Sequence, residues 1–241
     1  MQPRIVAQLN ALNRQFYATV ADAFDQTRGS AWPGWQHLLP HLPTVRPLRV
    51  LDVGCGNGRF ARFLHAVGLP VDYTGVDSSP ALLARAREAL QPLACWRLIE
   101  QDVIEQPLAE GEYDLVGVFG VLHHVPARAG RVAWMRQLAQ RVAVGGVLAY
   151  ASWRFMEDAR LRARVVPWPP ELAGEVEAGD VLLDWRQGAH ALRYCHAVDD
   201  DEQAQIDASL GLTLLARYRA DGSSGQLNAY SVLRRAQSAP I

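Results

Sequence analysis

Lysine is absent: all 24 basic residues of the chain are arginine. A phosphate-loop lysine, a Schiff-base lysine and a lysine general base are therefore excluded outright. What remains are planar guanidinium donors, suited to gripping carboxylates and phosphates through paired hydrogen bonds. Cysteine is scarce as well. The 3 cysteines, Cys55, Cys95 and Cys195, are far apart and odd in number, with no metal-ligand spacing. A reduced, cytoplasmic protein without a metal is the expectation. No apolar run approaches the roughly 18 residues that cross a bilayer, and the polar, amphipathic N-terminus is unlike a signal peptide. A formal net charge of −1 leaves no global basic field of the kind that binds nucleic acid unaided.

The 241 residues, 49% of them hydrophobic, suffice for one well-cored domain spanning 1–241. At its start Ile5, Leu9, Leu12, Phe16, Val20 and Phe24 recur at helical steps, forming one face of a helix that ends near Gln26. Pro40, Pro43 and Pro47 then mark a loop. From there strands and helices alternate. Strands are predicted at Leu48–Val53, Tyr73–Val76, Trp96–Glu100, Tyr113–Gly120 and Gly145–Ser152. Helices are predicted at Arg59–Val67, at Pro80 to about Leu90 with Ser79 as N-cap, and at about Arg128–Val142. Such alternation implies a doubly wound α/β fold, a mostly parallel sheet with helices on both faces. After Trp153 the pattern breaks. Residues 154–190 carry Pro167, Pro169 and Pro170 with no clear period, and read as an insert over the carboxyl edge of the sheet. Thr213–Arg219 and Leu227–Arg235, joined by the turn-rich "ADGSSGQ", read as an antiparallel pair.

The chemistry concentrates in "VLDVGCGNGRF" (Val50–Phe60). Gly54, Gly56 and Gly58 lie between a strand and a helix, where a bare backbone passes close to a ligand and helix N–H groups point outward. A dinucleotide fingerprint wants Gly or Ala at position 59; Arg59 stands there instead. Asp52, inside the strand, would repel a pyrophosphate and suits a ligand with a cationic amino-acid end. Asp77 ends the second strand, where a carboxylate accepts both ribose hydroxyls. Asp102 ends the third, placed to accept from an adenine amino group while the Val103 amide faces the ring.

With these elements in register, Val50–Trp153 resembles the class I S-adenosylmethionine-dependent methyltransferases. The resemblance implies a seven-stranded sheet with an antiparallel last strand. It implies S-adenosylmethionine bound by Asp52, Gly54, Cys55, Gly56, Gly58, Asp77, Ser78, Asp102 and Val103, with Phe119 and Gly120 beside the methionine portion. "FGVLHHVP" (Phe119–Pro126) follows strand four; His123 and His124 are candidates for orienting the acceptor or for general base work, worth roughly 10²–10⁴-fold. Four further features are similar to the methyltransferases that esterify 5-carboxymethyluridine at the tRNA wobble position. They are Tyr17 with Phe24, Thr27-Arg28 with Trp32-Pro33, the His123-His124 pair, and Arg193-Tyr194-Cys195-His196; "VVPW" at Val165–Trp168 accompanies them.

This narrower resemblance implies tRNA as a partner and, from its eukaryotic members, a small zinc-ribbon activator subunit. Residues 1–35 become a helical cap or lid. Tyr17, Arg28 and Trp32 are expected near the sulfonium or the acceptor, since a cation over an aromatic face is favourable. A carboxylate acceptor is already ionised and needs an arginine to orient it, a role open to Arg28 and Arg193. Between Arg128 and Arg164 stand eight arginines against Glu157 and Asp158, a stretch able to track phosphates or to form a solvated helix face. Glu171–Glu202, with nine acids and two arginines, works against RNA. Two alternatives stay open: a methyltransferase for a small metabolite, acting on oxygen or nitrogen, and a cofactor-binding protein without transfer activity.

Overall fold

The structure, a computed structural model, describes residues 1–26, 29–108 and 111–237, with only the backbone at Asp22, Phe24 and Asp25. Helix α1 spans Pro3–Gln26 and is followed by a 3-10 helix at Pro33–His41, which takes in Pro40, while Pro43 and Pro47 lie in the loop expected of them. Strand β1 (Leu48–Val53), α2 (Arg59–Ala66), β2 (Val71–Asp77), α3 (Pro80–Ala89), β3 (Cys95–Glu100) and β4 (Tyr113–Phe119) follow the predicted alternation. Ser79 caps α3 as expected, its hydroxyl accepting from the Leu82 N–H at 3.3 Å, with Pro80 in the first turn. Helix α4 covers Arg128–Ala139. It stops short of Val142 because that residue already pairs with Tyr113 and opens β5 (Val142–Trp153).

Strands β9 (Thr213–Ala220) and β10 (Asn228–Arg234) complete a seven-stranded sheet of order β3-β2-β1-β4-β5-β10-β9. Strand β10 is antiparallel to both β5 and β9; the pairs among β1 to β5 are parallel. Central strands such as β4 are buried on both faces, whereas the edge strand β3 alternates exposed and half-buried residues. That is the pattern of a sheet covered on both sides. The order reverses between β1 and β4, and their carboxyl ends open the crevice in which such sheets bind ligands.

The stretch after Trp153 is more ordered than its sequence suggests. Helix α5 (Ala159–Arg162) leads into an antiparallel sheet of β6 (Val165–Val166), β7 (Asp180–Trp185) and β8 (Ala191–His196), so the irregular segment ends at His196 rather than 190. Strand β8 was hidden because Arg193 and His196 interrupt its apolar pattern, yet both are buried. Helix α1 packs its apolar stripe mainly on this second sheet: Ile5 and Leu9 meet Tyr194, while Phe16 and Val20 meet Trp185.

The acidic run at Asp199–Glu202 opens a further helix, α6 (Asp200–Ser209). Asp199 caps it through the Glu202 N–H at 2.7 Å, and acids in a first turn complement the helix dipole. The arginine-rich stretch does not form one basic face. Arg131 is fully buried, bound to Glu202 at 2.6 Å and Glu177 at 3.2 Å. Arg154 is buried against Asp200 and the Val198 carbonyl, and Arg160 holds Asp158. Pairing of this kind offsets the cost of burying Arg131 and Arg154. Glu202 also binds His196, which reaches Asp180 with its other nitrogen, so this network ties the second sheet to α4 and α6. Among the described residues no helix is long and apolar enough to cross a membrane.

Candidate active site

A cavity of about 620 Å³ opens at the carboxyl ends of β1, β2 and β4, within the size range of small-molecule sites. Its floor is the glycine loop, in which Gly54, Gly56 and Gly58 all take left-handed φ values of 72°, 53° and 73°. Gly54, Cys55 and Gly56 line the cavity. Gly58 is absent from its wall, contrary to the sequence expectation: it packs on α3, where an added Cβ would sit 3.4 Å from Ala86. A Cβ on Gly56 would meet nothing within 4 Å, which leaves room at the loop for a ligand.

Three carboxylates ring one end. Asp77 draws the loop together, accepting from the Gly56 N–H at 2.8 Å and the Ser79 N–H at 2.9 Å. Burial raises its pKa against the pull of these backbone donors. Asp52 is almost fully buried and takes a hydrogen bond from the Tyr73 hydroxyl at 2.6 Å. Burial lifts its pKa to about 7, with the Tyr73 bond opposing. Asp102 accepts from the Ile104 and Glu105 N–H groups and binds Arg14 at 3.1 Å. Ser78 and Val103 line the same end, the Val103 carbonyl accepting from the Trp134 indole at 2.6 Å.

The other end is aromatic and cationic. Tyr17, Trp32, Phe119, Gly120, His123 and His124 line it, together with Arg193. Trp32 lies over Gly120, 3.6 Å from where a Cβ would stand. His124 is buried between three partners: the Tyr17 hydroxyl 2.8 Å from Nε2, and the Tyr194 carbonyl and Asn13 amide 3.0 and 3.2 Å from Nδ1. Burial, and next the charge of Arg193, lower its pKa to about 3. Arg193 is buried with its guanidinium 4.8 Å from the Trp153 ring centre and 5.2 Å from that of Phe16. Among the described residues it has neither a carboxylate partner nor a hydrogen-bond acceptor. Arg28 and Thr27 lie outside the described residues.

Residues 50–146 match the family model described as a methyltransferase domain. A protein of Encephalitozoon cuniculi, named for an inferred methyltransferase activity, is 30% identical over 201 residues, covering 83% of this chain and 87% of its own. The chain belongs to the S-adenosylmethionine-dependent methyltransferases. A tRNA (carboxymethyluridine(34)-5-O)-methyltransferase of Xenopus tropicalis is 28% identical over 65% of this chain, which spans 24% of that longer protein. Trans-aconitate 2-methyltransferase of Methylobacterium nodulans is 34% identical over 55% of this chain and 50% of its own length. The fold matches that of the CcbJ methyltransferase from Streptomyces caelestis (TM-score 0.65, 21% identity, 90% of this chain and 96% of that one). It also matches the N-methyltransferase NodS from Bradyrhizobium japonicum, solved with S-adenosyl-L-homocysteine (TM-score 0.55, 17% identity, 86% and 89%).

The residues present fit the methyltransferase cofactor. The open cradle at Gly56 and the carboxylates of Asp77 and Asp102 suit an adenosine, and Asp52 suits the amino-acid end. Several cavity residues escaped the sequence reading. Asn10, Asn13 and Arg14 line the wall with Tyr17, and their helical i, i+3, i+4, i+7 spacing was a usable signal: a polar stripe beside an apolar one. Trp153, Trp185 and Asp221 carried no such signal. The two histidines also have a neighbour that sequence could not supply, since the donor atoms of His123, His124 and Cys195 fall within 4.8 Å of one another. Both His124 nitrogens are already engaged, and burial pushes the Cys195 thiol up to about 12.

Proposed function

We propose that this methyltransferase esterifies a carboxylate, the carboxymethyl group of a tRNA wobble uridine or of a related nucleoside. One observation carries the reading: Arg193 is a buried cation on the cavity wall whose N–H donors have no acceptor among the described residues. Its donors open onto the cavity and not onto a described protein acceptor, so an anionic ligand is the occupant they suit. S-adenosylmethionine bound at the acid-lined end supplies a sulfonium methyl group, which the acceptor oxygen takes as the carbon–sulfur bond breaks. The protein's own part is placement. Phe16 and Trp153 brace Arg193, which presents paired donors to the carboxylate, while Tyr17 and Trp32 cover the methyl-bearing end and exclude water.

His124 is not the base that would take a proton from an acceptor. With its pKa held near about 3, it is a poor base at neutral pH, whereas a carboxylate is ionised without help. Carboxymethyluridine and trans-aconitate, named for two of the relatives, are both carboxylic acids. Labelled S-adenosylmethionine incubated with fractionated cell extract tests the reading. A base-labile ester in the RNA fraction supports it. A base-labile ester confined to small molecules keeps the carboxylate and replaces the nucleoside by a small acid. Base-stable label overturns the carboxylate.

A further inference from the structure

We propose that Asp221 is a positioning residue that sets Trp32 over the methyl-bearing end of the cofactor. The inference rests on the reading of Trp32 as a cover, and not on which acceptor is used. Asp221 lies in the turn between β9 and β10, in the "ADGSSGQ" segment that looked like a plain chain reversal. It adopts a left-handed φ of 68° and is 4% exposed. A left-handed turn position accepts glycine, asparagine or aspartate, and it asks nothing of where the side chain points. This side chain instead points inward. Its Oδ1 accepts from the Gly34 N–H at 2.8 Å, and its Oδ2 from Asn228 at 2.7 Å and the Tyr230 hydroxyl at 2.5 Å. Among the described residues it makes no ion pair, so backbone and side-chain dipoles alone hold a buried carboxylate, and one of them belongs to the opposite end of the chain.

Gly34 is seated in a socket made by the terminal hairpin. The Tyr218 hydroxyl donates to its carbonyl at 2.9 Å, and a Cβ would lie 2.5 Å from the Tyr230 ring. Both peptide groups of Gly34 are thus taken, and only glycine approaches this closely. Trp32 stands two residues earlier. Its carbonyl accepts from the Trp35 N–H at 3.1 Å, and its ring stacks on Trp35 at 5.5 Å. Gly34 is thus one of three anchors that set the indole beside Gly120, with the stacked Trp35 ring and the Arg59 guanidinium 5.0 Å from the Trp32 ring centre.

The consequence concerns charge. An aromatic face attracts the sulfonium of S-adenosylmethionine and not the neutral thioether of S-adenosylhomocysteine, an effect that spans about two- to thirtyfold in affinity according to desolvation. Calorimetry of both compounds on the full chain reads this preference without any acceptor. Trp32→Leu, Asp221→Asn and Gly34→Ala are each expected to reduce the preference for S-adenosylmethionine at least about twofold, read on variants that still melt cooperatively. Gly34→Ala keeps the Asp221 carboxylate but pushes against the Tyr230 ring that closes the socket, and carries the test if Asp221→Asn does not fold. If Trp32→Leu changes the preference and the folded Asp221 and Gly34 variants do not, the positioning role is overturned. If Trp32→Leu leaves it unchanged, the cover reading fails and the proposal with it. Neither result bears on the carboxylate acceptor.

Discussion

The Tyr17 hydroxyl lies 2.8 Å from Nε2 of His124, whose Nδ1 is 3.0 Å from the Tyr194 carbonyl oxygen. The Tyr194 carbonyl accepts from Nδ1 and the Asn13 amide nitrogen donates toward it, while the Tyr17 hydroxyl serves Nε2 as donor or acceptor, so the ring is hydrogen-bonded in either tautomer. Burial keeps the ring neutral. His124 therefore anchors Tyr17 at the cavity wall rather than carrying a proton. His124→Gln, which retains an acceptor near the Nε2 position, is expected to lower kcat for methyl transfer by less than tenfold. A loss of about 10²-fold or more is the size associated with a general base and would refute this role.

Arg193→Gln removes the charge but keeps much of the volume between Phe16 and Trp153. Truncating one partner of a buried charge pair costs roughly 2–5 kcal/mol. The expected outcome is a fall in kcat/KM for the acceptor of about 10²-fold or more, with S-adenosylhomocysteine affinity changed less than threefold. Steady-state kinetics beside calorimetry separates the two. Equal losses in both would move Arg193 from the acceptor to the cofactor.

Asp77 organises the glycine loop by accepting from the Gly56 N–H, and on the proposed reading its remaining lone pairs take the ribose hydroxyls. Hydrogen bonds to a charged group contribute roughly 1.5–3 kcal/mol each. Asp77→Ala should therefore weaken S-adenosylmethionine binding at least tenfold by calorimetry. Unchanged affinity would remove Asp77 from the ribose site.

Two buried groups act on acid stability with opposite signs. His124 falls from the ordinary histidine value of 6.5 to about 3 on folding, so between those values the unfolded chain takes up a proton that the folded chain refuses. Stability therefore drops as pH falls through that window. Asp52 rises from 3.8 to about 7, so between pH 7 and 3.8 the folded chain holds the extra proton and stability gains on acidification. Asp52→Asn abolishes only the second effect. Urea unfolding at pH 7, 5.5 and 4 should show the variant losing stability more steeply than the unaltered protein, by up to about 1.4 kcal/mol per pH unit. Coincident slopes would mean that Asp52 stays ionised.

Much of the cofactor half of the site was legible in the sequence because its determinants are local. A glycine loop between a strand and a helix, Ser79 ahead of Pro80, and an acid at the end of each of two successive strands are each written within a few residues. The second sheet was not legible. Its β6 is only two residues long, and β8 buries Arg193 and His196 where a strand pattern calls for apolar residues. The arginine-rich and acidic stretches misled for the same reason. Charge read along the chain says nothing about which arginine will be buried against which carboxylate.

The alternation of strands and helices, and the loop and acids that suit an adenosine, are local properties of the chain, because periodicity and turn chemistry act over short distances. How chemically identical arginines divide their work is a matter of packing: Arg131 and Arg154 are closed in ion pairs, and Arg193 is left facing the cavity. Packing also joins Tyr17 to His124 across 107 residues and Gly34 to Asp221 across 187. Such contacts depend on where whole elements pack. The aromatic helix at the N-terminus becomes part of a cavity wall only once the second sheet buries its apolar stripe.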